Sequence, residues 1–100
     1  MPEQLSWSVN GNMLNLNGVL TDETLLKFWH RRETLMNAVD VLNVTKLDYI
    51  DSAGLAMIVE LIASAEKCGE HLKIKGVTAK LNTLIVLYNL SDLLRDNVID

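Results

Sequence analysis

Asp51 and Ser52 place a carboxylate beside a hydroxyl where an apolar run, Leu42-Asn43-Val44, gives way through Thr45-Lys46-Leu47-Asp48-Tyr49-Ile50 to a helical pattern. A hydroxyl at the positive end of a long helix can cap that helix, receive a phosphate or meet a partner. Capping is the commonest use of such residues, and Asp51 is as suited to it as Ser52. Gly54 sits inside the first turn, where glycine costs roughly 1 kcal/mol relative to alanine, so its bare backbone is expected to admit another surface.

Other chemistry finds little support. Asp51-Ser52 has no histidine near it in sequence to act as a base, which makes it a poor hydrolase signal. His30 and His71 lie on separate segments without cysteine or carboxylate at ligand spacing, so no metal is expected. Neither Gly-x-x-x-x-Gly-Lys-Ser/Thr nor Gly-x-Gly-x-x-Gly occurs, so the chain is not expected to hydrolyse nucleotide, and no cofactor is expected. The reading is of a protein that is not an enzyme.

The elements that position Asp51 and Ser52 follow from changes of period. Leu5 to Val9 and Met13 to Asn17 alternate apolar with polar residues around Asn10-Gly11-Asn12, which predicts a β-hairpin with one buried face. Gly18 breaks the pattern, and Thr21 or Asp22 can cap a helix running to about Asn37. Val39 to Val44 reads as a short strand, followed by a polar loop. Ser52 to Cys68 reads as a helix with Leu55, Ile58, Val59 and Ile62 inward and Gly69 beyond its end. His71 to Lys75 alternates as a strand, Leu81, Leu84, Ile85 and Tyr88 mark a helix from about Thr78, and Ser91 can cap a last short turn. The order ββαβαβα predicts a single α/β domain over residues 1–100, with a four-stranded mixed sheet and helices mainly on one face.

Bulk properties narrow the partners. A net charge of −4, with the basic residues scattered rather than striped, argues against nucleic acid. Met1-Pro2-Glu3-Gln4 has no basic region leading into an apolar core, so a cytoplasmic location is expected. The richest apolar window, Leu55 to Ala65, is interrupted by Glu60 and Ser64 and is too short to cross a bilayer, so any membrane link must run through a partner. Cys68 has no second cysteine to pair with and reads as an inert buried thiol.

The segment from Leu42 to Leu55 resembles the signature of STAS domains, which occur in anti-sigma factor antagonists and sulfate transporters. Leu42, Asn43, Val44, Leu47, Ile50, Asp51, Ser52, Gly54 and Leu55 all fit that pattern. The short hairpin beginning Leu5-Ser6-Trp7, the run Leu25 to Glu33 and the stretch Leu87-Tyr88-Asn89-Leu90 are similar to one branch of the family, small cytoplasmic subunits of ABC transporters that move phospholipids. That resemblance implies a non-catalytic subunit that binds the ATPase subunit, within a complex with permease and substrate-binding subunits, and supports outer-membrane lipid asymmetry. The other branch implies an anti-sigma factor antagonist in which the hydroxyl matching Ser52 is the phosphoacceptor.

Two apolar surpluses bear on a docking role. Ala53, Met57 and Leu61 fall at i, i+4, i+8, off the line of Leu55, Ile58 and Ile62, and are expected to continue the Ser52 site as a docking stripe or to tuck under a neighbouring helix. The helix carrying Leu25, Leu26, Phe28, Trp29, Leu35 and Met36 is also over-supplied, and Trp29 is its candidate interface anchor. Arg32 is expected to extend its stem into water rather than pair with Asp51. The partner-binding set is therefore Trp29, Asp51, Ser52, Ala53, Gly54, Met57 and Leu61.

Overall fold

The computed structural model describes residues 4–99; the reading of the first three residues falls outside them. The alternating N-terminal segments form β1 (Leu5–Asn10) and β2 (Met13–Leu20), paired antiparallel from Leu5↔Gly18 to Asn10↔Met13. Gly18 does not end the second strand. It takes φ +94°, where a side chain would run into the Gln4 carbonyl, and the register with the next strand slips at Asn15/Asn17 and Gly18/Val19. At each shift the neighbouring strand carries one extra residue, a bulge on its side of the pair, and β2 continues to Leu20.

The single helix expected to reach about Asn37 is two short ones, α1 (Leu25–His30) and α2 (Arg32–Leu35). Residues 21–24 are a turn held by Thr24, whose Oγ1 donates to the Val19 carbonyl at 2.8 Å and accepts from the Thr21 N–H at 2.9 Å. At the break, the Arg31 N–H bonds the Phe28 carbonyl three residues back, while the Arg32 guanidinium takes the Trp29 carbonyl at 2.8 Å. The last turn of α1 thus tightens and its carbonyls are satisfied without a continuing helix.

The expected short strand and polar loop are one long strand, β3 (Val41–Ile50). It pairs parallel with β2 from Met13↔Val41 to Leu20↔Ile50. Leu47 and Ile50 are both buried, so their end of the strand is anchored although its neighbours are polar. The bulges turn a two-residue spacing of buried positions into a three-residue one, which hides the strand from a period-2 reading. Next come α3 (Ser52–Lys67), within one residue of expectation, and β4 (Lys73–Lys75), shorter than expected because His71 and Leu72 lie outside the ladder. The following helix, α4 (Ala79–Leu87), starts at Thr78, whose hydroxyl accepts from the Leu81 N–H at 3.2 Å. Tyr88, expected on its buried stripe, lies one residue past its end and is exposed. The short turn α5 (Ser91–Leu94) forms as expected, with Leu90 rather than Ser91 in the cap position.

Among the described residues the sheet has five strands rather than four. The extra one, β5 (Val98–Ile99), pairs parallel with β4 through Ile74↔Val98 and Lys75↔Ile99, completing the order β1-β2-β3-β4-β5. The buried Asn97 holds it there. Its Nδ2 donates to the Leu72 carbonyl at 2.8 Å, and its own carbonyl accepts from the Ile74 N–H at 2.7 Å. A two-residue strand has no alternation to read in the sequence.

Leu14, Leu16, Leu42, Val44 and Ile74 project from one face of the sheet into a core closed by Phe28, Ile58, Leu81 and Leu94 from the helices. Alternate strand residues make the opposite face polar, with Asn43 Nδ2 donating to Asn15 Oδ1 at 2.8 Å across the β2–β3 pair. Helices therefore cover one face, and parallel strands point their C-terminal ends toward the start of α3.

Candidate functional site

The junction between β3 and α3 is built around Asp51. Its backbone is extended (φ −111°, ψ −174°), and its side chain caps α3 by accepting from the Gly54 N–H at 2.9 Å. The other carboxylate oxygen accepts from the Asp22 N–H at 3.3 Å, and the Asp51 N–H donates to the Leu20 carbonyl at 3.2 Å. One residue thus ties the helix start to the end of β2 and to the turn before α1.

Because Asp51 makes the cap, Ser52 does not have to. It is the first residue of α3 and exposed, at the helix end whose dipole favours negative charge. Ala53 beside it is half-buried.

Gly54 has a different use from the one expected. It is buried, and a Cβ there would lie 2.6 Å from the Leu20 carbonyl oxygen and 2.8 Å from both Ile50 Cγ1 and Leu20 Cγ. The surface that approaches the bare backbone is the protein's own sheet. Gly54 lets α3 press onto the ends of β2 and β3, which sets where Ser52 stands.

The docking stripe of Ala53, Met57 and Leu61 is not on the surface. Met57 is 3% exposed and Leu61 4%, both within the core, whereas Val59, assigned to the core from its spacing, is half-buried. α3 lies between α1 and α4 as well as over the sheet, so its buried arc is wider than one stripe and takes in both lines.

Trp29 is half-buried against the core on α1, and the Arg32 guanidinium stacks 3.9 Å from its ring centroid. Arg32 therefore does not pair with Asp51, and its charge sits on an aromatic face rather than standing free. The structure gathers Asp51, Ser52, Ala53 and Gly54 at one point, sends Met57 and Leu61 inward and leaves Trp29 on a separate helix.

Sequence reasoning missed an exposed apolar set outside α3. Tyr49 is 46% exposed near the end of β3, with Lys80 Nζ 5.1 Å from its ring centroid, and Val86, Leu87, Tyr88 and Leu93 are 54–72% exposed. The adjacency of Val86, Leu87 and Tyr88 at the end of α4 is the signal that could have found it, because consecutive residues around a helix end cannot all face one core. A cleft of about 340 Å³ lined by Arg32, Met36, Leu61, Ser64, Cys68 and neighbours does not include residues 51–54. Cys68 is exposed, not the buried thiol expected from its type. Among the described residues, no three His, Cys, Asp or Glu side chains could together hold a metal, and no helix is long and apolar enough to cross a membrane.

Comparison with known proteins agrees with this architecture. A family model described as "Mlab, STAS domain" matches residues 3–96. The intermembrane phospholipid transport system binding protein MlaB of Escherichia coli is 37% identical over 90 residues, covering 90% of this chain and 93% of that protein. MlaB of Haemophilus influenzae is 31% identical over 98 residues, covering 88% and 93%. Among solved structures, the anti-sigma factor antagonist SpoIIAA in its unphosphorylated form superposes with a TM-score of 0.68 at 14% identity, covering 99% of this chain and 87% of that one. The phosphorylated form of the Bacillus cell-fate determinant SpoIIAA gives 0.65 at 13% identity, covering 99% and 90%. At such identities the structural likeness speaks for the fold alone. The family match covers nearly the whole described chain, and the chain belongs to the STAS-domain family.

Proposed function

We propose that this protein is a non-catalytic, cytoplasmic accessory subunit of an ABC transporter that traffics phospholipid and supports outer-membrane lipid asymmetry. It binds the ATPase subunit through Ser52 and the start of α3, within a complex that also holds permease and substrate-binding subunits, and reaches the inner membrane through them. The transport role rests on the relatives named for an intermembrane phospholipid transport system. The docking role rests on one observation: Asp51 carries the helix cap, so Ser52 stands exposed with its hydroxyl not engaged in capping. Met57 and Leu61 take no direct part, being buried. Trp29, half-buried under Arg32, is a second contact in this reading. Titration of the purified ATPase subunit with wild-type protein, Ser52→Ala and Ser52→Asp tests the site. Ser52→Asp should bind weakly while folding normally, and unimpaired binding by Ser52→Asp would remove Ser52 from the interface.

The same exposed hydroxyl supports a second reading, an anti-sigma factor antagonist switched by phosphorylation of Ser52. A phosphate adds about −1.5 to −2 charge and would block a docking surface. Intact-mass measurement after incubation with cell extract and ATP separates the two, since the absence of phosphoserine, under conditions that fully modify a known antagonist, leaves the transporter reading.

A further inference from the structure

We infer that the outer face of α4, with α5 beyond it, forms the second half of the surface that docks on the ATPase subunit; this rests on the docking reading above. A stable, specific protein interface takes about 800 Å² from each partner. With Met57 and Leu61 in the core, the docking surface read so far offers exposed Ser52 with half-buried Asp51, Ala53 and Trp29, which falls short of that area. Exposed surface close to the start of α3 is the natural source of the remaining area.

Tyr49 and α4 supply it. Tyr49 stands two residues before the cap Asp51, and Lys80 at the start of α4 lies over its ring. Thr83 and Leu87 follow Lys80 at i+3 and i+7, so the exposed line of α4 begins beside Tyr49 and leads to Leu87, 72% exposed, with Val86 and Tyr88 beside it in the chain and Leu93 on α5. Tyr49 and Tyr88 are of a type enriched among interface hot spots, and Val86, Leu87 and Leu93 add apolar area around them.

The charges around the patch favour a protein occupant. Between Ala79 and Arg95 the cations are Lys80, engaged with Tyr49, and Arg95, paired with Asp92. That is no polybasic rim for an anionic lipid surface.

The test uses the full chain against the purified ATPase subunit, with Leu87→Asp, Val86→Ser and Ser52→Asp compared by calorimetry and each variant checked by thermal melting. Leu87→Asp should weaken binding about tenfold or more with an unchanged melting temperature, and Val86→Ser should weaken it less. Wild-type affinity in Leu87→Asp, with Ser52→Asp impaired, overturns the α4 extension and leaves the Ser52 reading standing. Failure of the wild-type chain to bind overturns both. Light scattering and sedimentation with phosphatidylglycerol vesicles cover the other occupants: a dimer of the free chain that Leu87→Asp splits, or vesicle binding that it abolishes, would overturn the assignment in favour of a second copy or a membrane.

Discussion

Gly54→Ala isolates the contact that places Ser52. The added methyl would meet the Leu20 carbonyl oxygen at 2.6 Å and Ile50 Cγ1 and Leu20 Cγ at 2.8 Å, and that oxygen already accepts from the Asp51 N–H in the pairing of β2 with β3. Overpacking of this kind costs about 1–3 kcal/mol, and a clash against paired backbone belongs at the upper end. Alanine recovers about 1 kcal/mol of helix propensity, leaving a net loss of about 2 kcal/mol. For a domain of this size each kcal/mol lowers the melting temperature by about 4–8 °C, so calorimetry should show a fall of about 8–16 °C. Ala56→Gly, at an exposed position of the same helix, calibrates the propensity term at about 1 kcal/mol in the destabilising direction. Displacement of the first turn also disturbs the bond from the Gly54 N–H to Asp51, so binding at Ser52 should weaken as well. An unchanged or raised melting temperature in Gly54→Ala would refute the close packing of α3 on β2 and β3.

The cap assignment makes Asp51 and Ser52 respond differently. Asp51→Ala should cost about 1–2 kcal/mol in urea unfolding, through loss of the cap and of the bond from Asp22, whereas Ser52→Ala should stay within about 0.5 kcal/mol of wild type. The reverse order would return the cap to Ser52. Met57→Asp places a charge in the core and should lose more than about 4 kcal/mol, giving a chain with little cooperative melting; a folded Met57→Asp variant would put Met57 back on the surface.

The hairpin, α3, α4 and the α/β class, though not the strand count, were legible because each rests on a local period that the structure keeps. Asp51, Ser52 and Gly54 were legible for the same reason, since a helix start carries its cap residues in order. What escaped was decided at longer range. β3 reads as strand and loop because it carries an extra residue at each of two register shifts against β2, which spaces its buried positions Val44, Leu47 and Ile50 by three instead of two. The break between α1 and α2 depends on Arg32 folding back onto Trp29, and β5 on the buried amide of Asn97. Met57 and Leu61 looked like surplus apolar residues because a helix wheel counts one buried face, and α3 is enclosed by neighbours on more than one side. Gly54 is expected to admit a partner's surface, but it is buried and its backbone meets Leu20 and Ile50 of the same chain.

The most direct test of the account is the identity of the proteins that co-purify with the full chain from its own cells, determined by mass spectrometry. A Walker-type ATPase together with a multi-spanning permease, both lost in Ser52→Asp, is the result the account requires. Recovery of a histidine-kinase-like anti-sigma factor in their place would contradict it.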